Sequence, residues 1–164
     1  MKALSGFITT VVMVFAVTAV AFAAETRISE KEVRIAIESF LQNPTVPSEE
    51  AKTIVTFAAE SDAVNVVMGP VSCPWIGNKE HEDAQPLLLA AFAAGNVRSQ
   101  LDSGVRKDDA YSGLIAVFRV YRHMKNANPK LTIPEVEKLL KLHRQGRLTE
   151  HLAKEKASAA TKPE

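Results

Sequence analysis

The sequence predicts an all-α protein: a compact bundle or a short solenoid-like array of five to six short helices that follows a cleaved signal peptide. Apolar residues recur at helical spacing in several segments, and capping residues, prolines and glycines stand where those segments begin and end. No segment alternates polar and apolar residues over a useful length, and neither Asn-Gly nor Asp-Gly occurs. These observations together favour helices over strands.

Residues 1–23 have the pattern of a secretory signal peptide. Lys2 gives a positive start, an uncharged apolar stretch follows, and Ala21 and Ala23 suit the −3 and −1 positions of a signal peptidase. We therefore expect cleavage after Ala23 and export, either secretion or delivery to the periplasm if the source is a Gram-negative bacterium. The alternative is an uncleaved anchor, because about 20 uncharged residues can span a bilayer. After cleavage we expect no stable membrane span.

Composition limits what the rest of the chain can be. The chain has 164 residues, 20 Lys and Arg against 19 Asp and Glu, one cysteine and 46% hydrophobic residues. This length and apolar content predict a single helical domain over residues 24–157, followed by a disordered tail over 158–164. Near-zero net charge and one cysteine exclude a nucleic-acid-coating chain and a disulfide scaffold, and nucleic acid is a poor partner for an exported protein. Nothing in the sequence indicates a cofactor.

The first two helices have clear starts. Ser29 and Glu32 form a capping box for the first, which Asn43-Pro44 ends. Its apolar residues lie on one face: Val33, Ala36, Ile37, Phe40 and Leu41. Ser48 caps the second helix, which either ends near Ser61-Asp62 or continues to Gly69-Pro70. Residues 69–82 then form one long irregular segment, because their prolines and glycines prevent a continuous element.

The third and fourth helices form the predicted core. Pro86 suits the first turn of the third helix, and residues 87–94 are apolar on every side, as in a buried central helix. We expect Gly95-Asn96 to weaken this helix and Gly104 to end it. The fourth helix runs from about Asp108 to Asn126, and its buried face is predicted to carry Ala110, Leu114, Val117, Tyr121 and Met124.

Two weaker helices follow. Thr132 and Glu135 predict a second capping box, with Pro134 in the first turn, and Gly146 ends that fifth helix. Thr149 is expected to cap a short last helix.

The candidate binding residues are basic and lie in the C-terminal half. Residues 24–100 carry 6 basic and 11 acidic side chains, whereas residues 119–156 carry 10 basic and 4 acidic ones. Such asymmetry can attract an acidic protein or an anionic envelope polymer or lipid surface, although a simply solvated face would look the same. The predicted contact residues are Arg119, Arg122, Lys141, Arg144 and Arg147. Two arginines one turn apart, with His123 beside them, can hold a phosphate or carboxylate.

A second candidate site is the irregular segment, with Cys73, Trp75 and His81. Thiolate and imidazole are ligands for soft or borderline metals, but one cysteine and one histidine do not complete a tetrahedral set. The structural interpretation is that Cys73 and Trp75 anchor the segment in the core. The sequence therefore does not tell whether this segment binds a metal or which metal it would bind.

These observations predict an exported, non-enzymatic helical protein that binds another macromolecule or an envelope component through its basic C-terminal half. The alternative is a metal- or thiol-dependent binding or sensing protein centred on Cys73 and His81, which would require a reactive thiol. The sequence contains none of the familiar nucleophile, zinc-protease or phosphate-loop motifs, so it gives no positive argument for an enzyme.

Overall fold

A computed structural model describes residues 27–160, and over these residues the protein is all-helical, as predicted. The six α-helices are α1 (Glu30–Gln42), α2 (Glu49–Glu60), α3 (Gln85–Ser103), α4 (Ala110–Ala127), α5 (Pro134–Arg144) and α6 (Leu148–Ala160). A 3₁₀ helix (Lys79–Ala84) leads directly into α3. No strand occurs among the described residues. The predicted signal peptide at 1–23 lies outside them.

Helices α1 and α2 begin where the capping residues predicted. The Ser29 side chain accepts a hydrogen bond from the Glu32 backbone N–H, and the Glu32 carboxylate accepts one from the Ser29 N–H at 2.7 Å. The Ser29 hydroxyl also donates to this carboxylate at 2.6 Å, and the two bonds to the carboxylate lower the pKa of Glu32 because they favour its charged form. Ser48 accepts from the N–H of Ala51 at 3.1 Å and caps α2. The five apolar residues predicted for one face of α1 are all buried.

Helix α3 is the centre of the bundle. It contacts α1, α2 and α4, so the helices pack as a compact bundle and not as a linear array. Between Leu88 and Val97 nearly every side chain is buried, which matches the predicted all-round apolar character. Pro86 lies in its first turn, and Gly104 ends it with a left-handed φ of 67°. Within the described part of the chain, no helix combines the length and the apolar character that crossing a bilayer requires.

The prediction that Gly95-Asn96 would weaken α3 is wrong, because the helix continues unbroken to Ser103. Gly95 lies where α3 crosses α4. A Cβ atom at this position would lie 2.8 Å from the Cβ of Ala116 and 2.9 Å from the carbonyl carbon of Ser112. The glycine therefore allows the two helix backbones to approach closely, and tertiary packing outweighs its low helix propensity.

The second of the two predicted ends for α2, an extension to Gly69, is not observed. The helix ends at Glu60, and residues 61–78 form a non-helical segment. The buried amide of Gln100 holds this segment against α3: its Oε1 accepts from the N–H of Asn65, and its Nε2 donates to the carbonyl of Asn65, both at 2.8 Å. Asp108 accepts from the N–H of Val67 at 3.1 Å. Side chains of α3 and of the loop before α4 thus satisfy backbone groups that helical hydrogen bonds would otherwise engage.

The starts of the last two helices differ from the predictions. Helix α5 begins at Pro134 after Ile133, with no side-chain cap, so the expected Thr132–Glu135 box does not form. The N–H of Ile133 instead donates to the hydroxyl of Tyr121 on α4 at 3.1 Å, which fixes the start of α5 by a tertiary contact. Gly146 ends the turn after α5 with φ 70°. Helix α6 begins at Leu148, so Thr149 lies inside it, and it includes residues 158–160 of the predicted tail.

Candidate functional site: a basic surface on two helices

The five predicted binding residues are all exposed and lie in the C-terminal half of the chain. We call Arg119, Arg122, Lys141, Arg144 and Arg147 the basic surface. The first two belong to α4, the next two to α5, and Arg147 lies in the turn before α6. Among residues 27–154, whose side chains are described, no carboxylate lies within ion-pair distance of any of the five. Arg144 and Arg147 act only at longer range, where they help to lower the pKa values of Glu137 and Glu150.

Several other cations of the bundle have carboxylate partners. Arg98 on α3 pairs with Glu38 on α1 at 2.6 Å and with Asp102 at 3.8 Å. Arg34 pairs with the same aspartate, and Lys125 pairs with Glu137 at 2.9 Å. Glu38, Asp102 and Glu137 are thus engaged with other bases, and none of these three carboxylates pairs with the basic surface.

Helix α5 is positioned by contacts with α4. The hydroxyl of Tyr121 donates to the carboxylate of Glu137 at 2.9 Å, which also accepts from Lys125 at 2.9 Å. The amine and the hydroxyl hold the pKa of Glu137 below its ordinary value. The ring of His143 packs at 5.5 Å, between centroids, from that of Phe118. These contacts bury one face of α5, and Lys141 and Arg144 remain exposed elsewhere on the helix.

Arg119 and Arg122 share a cavity between α4 and the end of α1. It has a volume of about 240 Å³. We call it the arginine cavity, and its lining residues are Leu41, Gln42, Pro44, Arg119, Arg122, His123 and Asn126. The four residues from α4 follow the spacing i, i+3, i+4 and i+7, so they lie on one helical face. Sequence reasoning placed the two arginines and His123 together but missed Asn126, which the same spacing could have indicated. It had no signal for the α1 residues.

A second cavity, of about 520 Å³, adjoins the first, because Pro44 and His123 line both. We call it the apolar cavity, since apolar residues form the larger part of its lining, among them Ala84, Leu87, Met124, Ala127 and Leu131. Glu80, Asp83 and His81 also border it. The predicted site residue His81 therefore faces the basic side of α4 and shares this cavity with His123.

The structure places Cys73 and Trp75 in the core, each with 0% of its surface exposed. Burial raises the pKa of the Cys73 thiol to about 12, so the thiol stays protonated at neutral pH. Thiolate, the form that attacks disulfides and binds metals, is thereby disfavoured. Both residues serve as anchors of the irregular segment, in line with the structural interpretation.

His81 does not line a cavity with Cys73. It lies on the 3₁₀ helix, where its backbone departs from helical geometry with φ −127° and ψ 26°. Its Nε2 atom is buried and has no hydrogen-bond partner within the described residues. Over the same part of the chain, no group of three or more His, Cys, Asp or Glu side chains is arranged to hold a metal ion.

Comparison with protein-family models, with curated proteins and with solved structures found no match to this chain. The geometry of the basic surface therefore carries the functional argument by itself.

Proposed function

We propose that this is an exported binding protein, periplasmic or secreted, rather than an enzyme, and that it binds an anionic component of the cell envelope through the basic surface. The observation that carries the proposal is the exposure of five cationic side chains with no carboxylate partner among the described residues. Unpaired cations on a folded surface retain their long-range attraction for anions, whereas cations already paired with carboxylates lose most of it.

The charge distribution along the chain supports the same proposal. Over residues 119–156 basic side chains outnumber acidic ones by six. An anionic lipid surface attracts each nearby Lys or Arg by about 1 kcal/mol, and the attraction falls off within a Debye length. Three to five such contacts give binding that is strong at low salt and weak at high salt.

The proposal that the protein is exported rests only on the sequence pattern of residues 1–23. The test is fractionation of cells that express the full-length chain, followed by N-terminal sequencing of the exported form. We expect a mature protein that begins at Ala24, because cleavage after Ala23 leaves alanines at −3 and −1. Recovery of the uncleaved chain from the membrane fraction would contradict this part.

The binding test uses the full-length chain, expressed and purified in whatever processed form the cells yield, and cosedimentation with lipid vesicles. Vesicles of phosphatidylglycerol and phosphatidylcholine are compared with vesicles of phosphatidylcholine alone. The variant Lys141→Glu, Arg144→Glu, Arg147→Glu reverses three charges of the basic surface. The matched control reverses three exposed lysines elsewhere, with Lys31→Glu, Lys52→Glu and Lys79→Glu.

We expect the first variant to lose affinity for anionic vesicles by at least about tenfold, and the control by no more than about twofold, since only the basic surface meets the membrane. Equal losses in the two variants would mean that net charge alone governs binding, which contradicts the proposal. A wild-type chain that ignores both kinds of vesicle would also contradict it and would favour an acidic protein partner instead.

A further inference from the structure

The two adjoining cavities beside α4 differ in chemistry in a way that points to a ligand. The arginine cavity brings together two guanidinium groups, an imidazole, and the amides of Gln42 and Asn126, and no acidic side chain lines it. An arginine guanidinium presents a planar fork of N–H donors that matches the oxygens of a phosphate or carboxylate. The arginine cavity thus has the donors, the charge and the volume for one acidic group.

Arg119 and Arg122 could instead stabilise the end of α1 and bind no ligand, but their contacts do not support this role. Helix α1 ends beside them and has no basic residue in its last turn, so a cation there could interact with the negative end of its dipole. However, among the described residues neither Arg119 nor Arg122 hydrogen-bonds to a carbonyl of α1. Both arginines line the cavity, and the described part of the chain offers their guanidinium groups no hydrogen-bond acceptor.

The lining of the apolar cavity indicates that the rest of the ligand is apolar. It continues from the arginine cavity past Pro44 and His123, and its wall is formed mostly by aliphatic and methionine side chains. Glu80 and Asp83 border this second cavity and would repel an anion. An acidic head group is therefore favoured in the arginine cavity, and only an apolar portion is favoured in the other.

We propose that the paired cavities bind a single anionic amphiphile, with its phosphate or carboxylate head against Arg119 and Arg122 and its apolar tail along Met124 and Leu131. This inference rests on the proposed function, since it assigns to two residues of the basic surface a specific anionic ligand. The inference differs from the proposed function because it requires a defined site that binds one ligand molecule, whereas the proposed function requires only a charged surface.

The test is isothermal titration calorimetry on the purified full-length chain with four probes. Inorganic phosphate tests the head group alone, octyl phosphate and octanoate test head and tail together, and octyl glucoside tests the tail alone. All are used below their micelle concentrations. We expect octyl phosphate or octanoate to bind 1:1 and at least about tenfold more tightly than inorganic phosphate and octyl glucoside, since burial of even two methylenes gives such a factor. Which of the two amphiphiles binds identifies the head group.

Three variants locate the site. Arg119→Gln with Arg122→Gln should weaken amphiphile binding by about tenfold or more, because charge-assisted hydrogen bonds are lost. Met124→Gln should weaken amphiphile binding and leave the affinity for inorganic phosphate unchanged. Lys141→Gln with Arg144→Gln removes the same charge from α5 and should change the affinity by less than about twofold. Circular dichroism confirms that each variant is folded.

The outcomes separate this inference from the proposed function. Amphiphiles that bind no more tightly than inorganic phosphate, or equal losses in the α4 and α5 charge variants, would overturn the paired-cavity site even if anionic vesicles still bind. Saturable amphiphile binding that only the α4 variants weaken would support the site even if the vesicle experiment fails.

Discussion

The close approach of α3 and α4 at Gly95 gives a quantitative prediction for Gly95→Ala. The new Cβ would lie 2.8 Å from the Cβ of Ala116 and 2.9 Å from the carbonyl carbon of Ser112. Ordinary carbon contacts are about 3.5–4.0 Å, so a gap of roughly 1 Å must open between α3 and α4. The carbonyl oxygen of Ser112, which lies nearest, and its carbonyl carbon belong to the backbone, and no change of rotamer can relieve these contacts.

The expected net cost follows from two opposing effects. Overpacking of a well-packed core costs about 1–3 kcal/mol and sometimes more, and a backbone obstruction belongs at the upper end of that range. Replacing a helical glycine with alanine returns about 1 kcal/mol of helix propensity. The free energy of unfolding should therefore fall by about 2 kcal/mol, which lowers Tm by roughly 6–10 °C for a domain of this size.

The assay is thermal and urea unfolding of the full-length chain, monitored by circular dichroism at 222 nm. Gly69→Ala is the matched control, because nothing lies within 4 Å of its Cβ position and its φ is not in the left-handed region. It should change the stability by less than about 1 kcal/mol in either direction. A Gly95→Ala protein as stable as wild type, or more stable, would show that propensity governs this position and would refute the packing argument.

Four further predictions concern buried polar groups and titration. Gln100→Leu should lower the free energy of unfolding by about 2–4 kcal/mol in urea unfolding, because it removes the hydrogen bonds that hold the segment after α2; a loss below about 1 kcal/mol would contradict that role. Tyr121→Phe should cost about 1–3 kcal/mol, since a buried backbone N–H loses its acceptor, and an unchanged urea midpoint would argue against this bond. At pH 8 the Cys73 thiol should react with a disulfide reagent at least about a hundredfold more slowly in the native protein than in urea. The reason is that burial shields the thiol and its raised pKa suppresses the thiolate. Equal rates would mean that the thiol is accessible. The pKa of Glu137 is lowered in the folded protein, so its contribution to stability is present above about pH 4.5 and is lost as the pH falls through the folded value. Urea midpoints of Glu137→Gln should therefore fall less between pH 7 and about pH 3 than those of wild type, and parallel curves would refute this assignment.

Local patterns in the sequence were enough to define most helices. The capping box at Ser29, the cap at Ser48 and the glycine at 146 mark ends that depend on residues within four positions of one another. The apolar face of α1 and the all-round apolar character of α3 likewise follow from spacing. These features are local, so one-dimensional reasoning captures them.

At two of the wrong predictions, the structure shows a tertiary contact that local sequence patterns do not reveal. Helix α5 begins after Ile133 without a local side-chain cap, and the N–H of Ile133 donates to the hydroxyl of Tyr121 from another helix. Gly95 is read as a helix breaker from propensity, yet the adjacent helix requires it to have no side chain. Propensity is a weak prior, and packing between distant segments overrides it.

The candidate site divides in the same way. Helical spacing is enough to put two arginines and a histidine on one face of α4, and residue counts are enough to show the charge imbalance of the C-terminal half. The packing of the helices was needed to show that the cations of the basic surface have no carboxylate partner in the described part of the chain. It was also needed to show that the end of α1 completes a cavity around Arg119 and Arg122 and that Cys73 is buried. Pairing, enclosure and burial depend on which helices become neighbours, and that follows from the packing of the whole core and not from the spacing of residues along one helix.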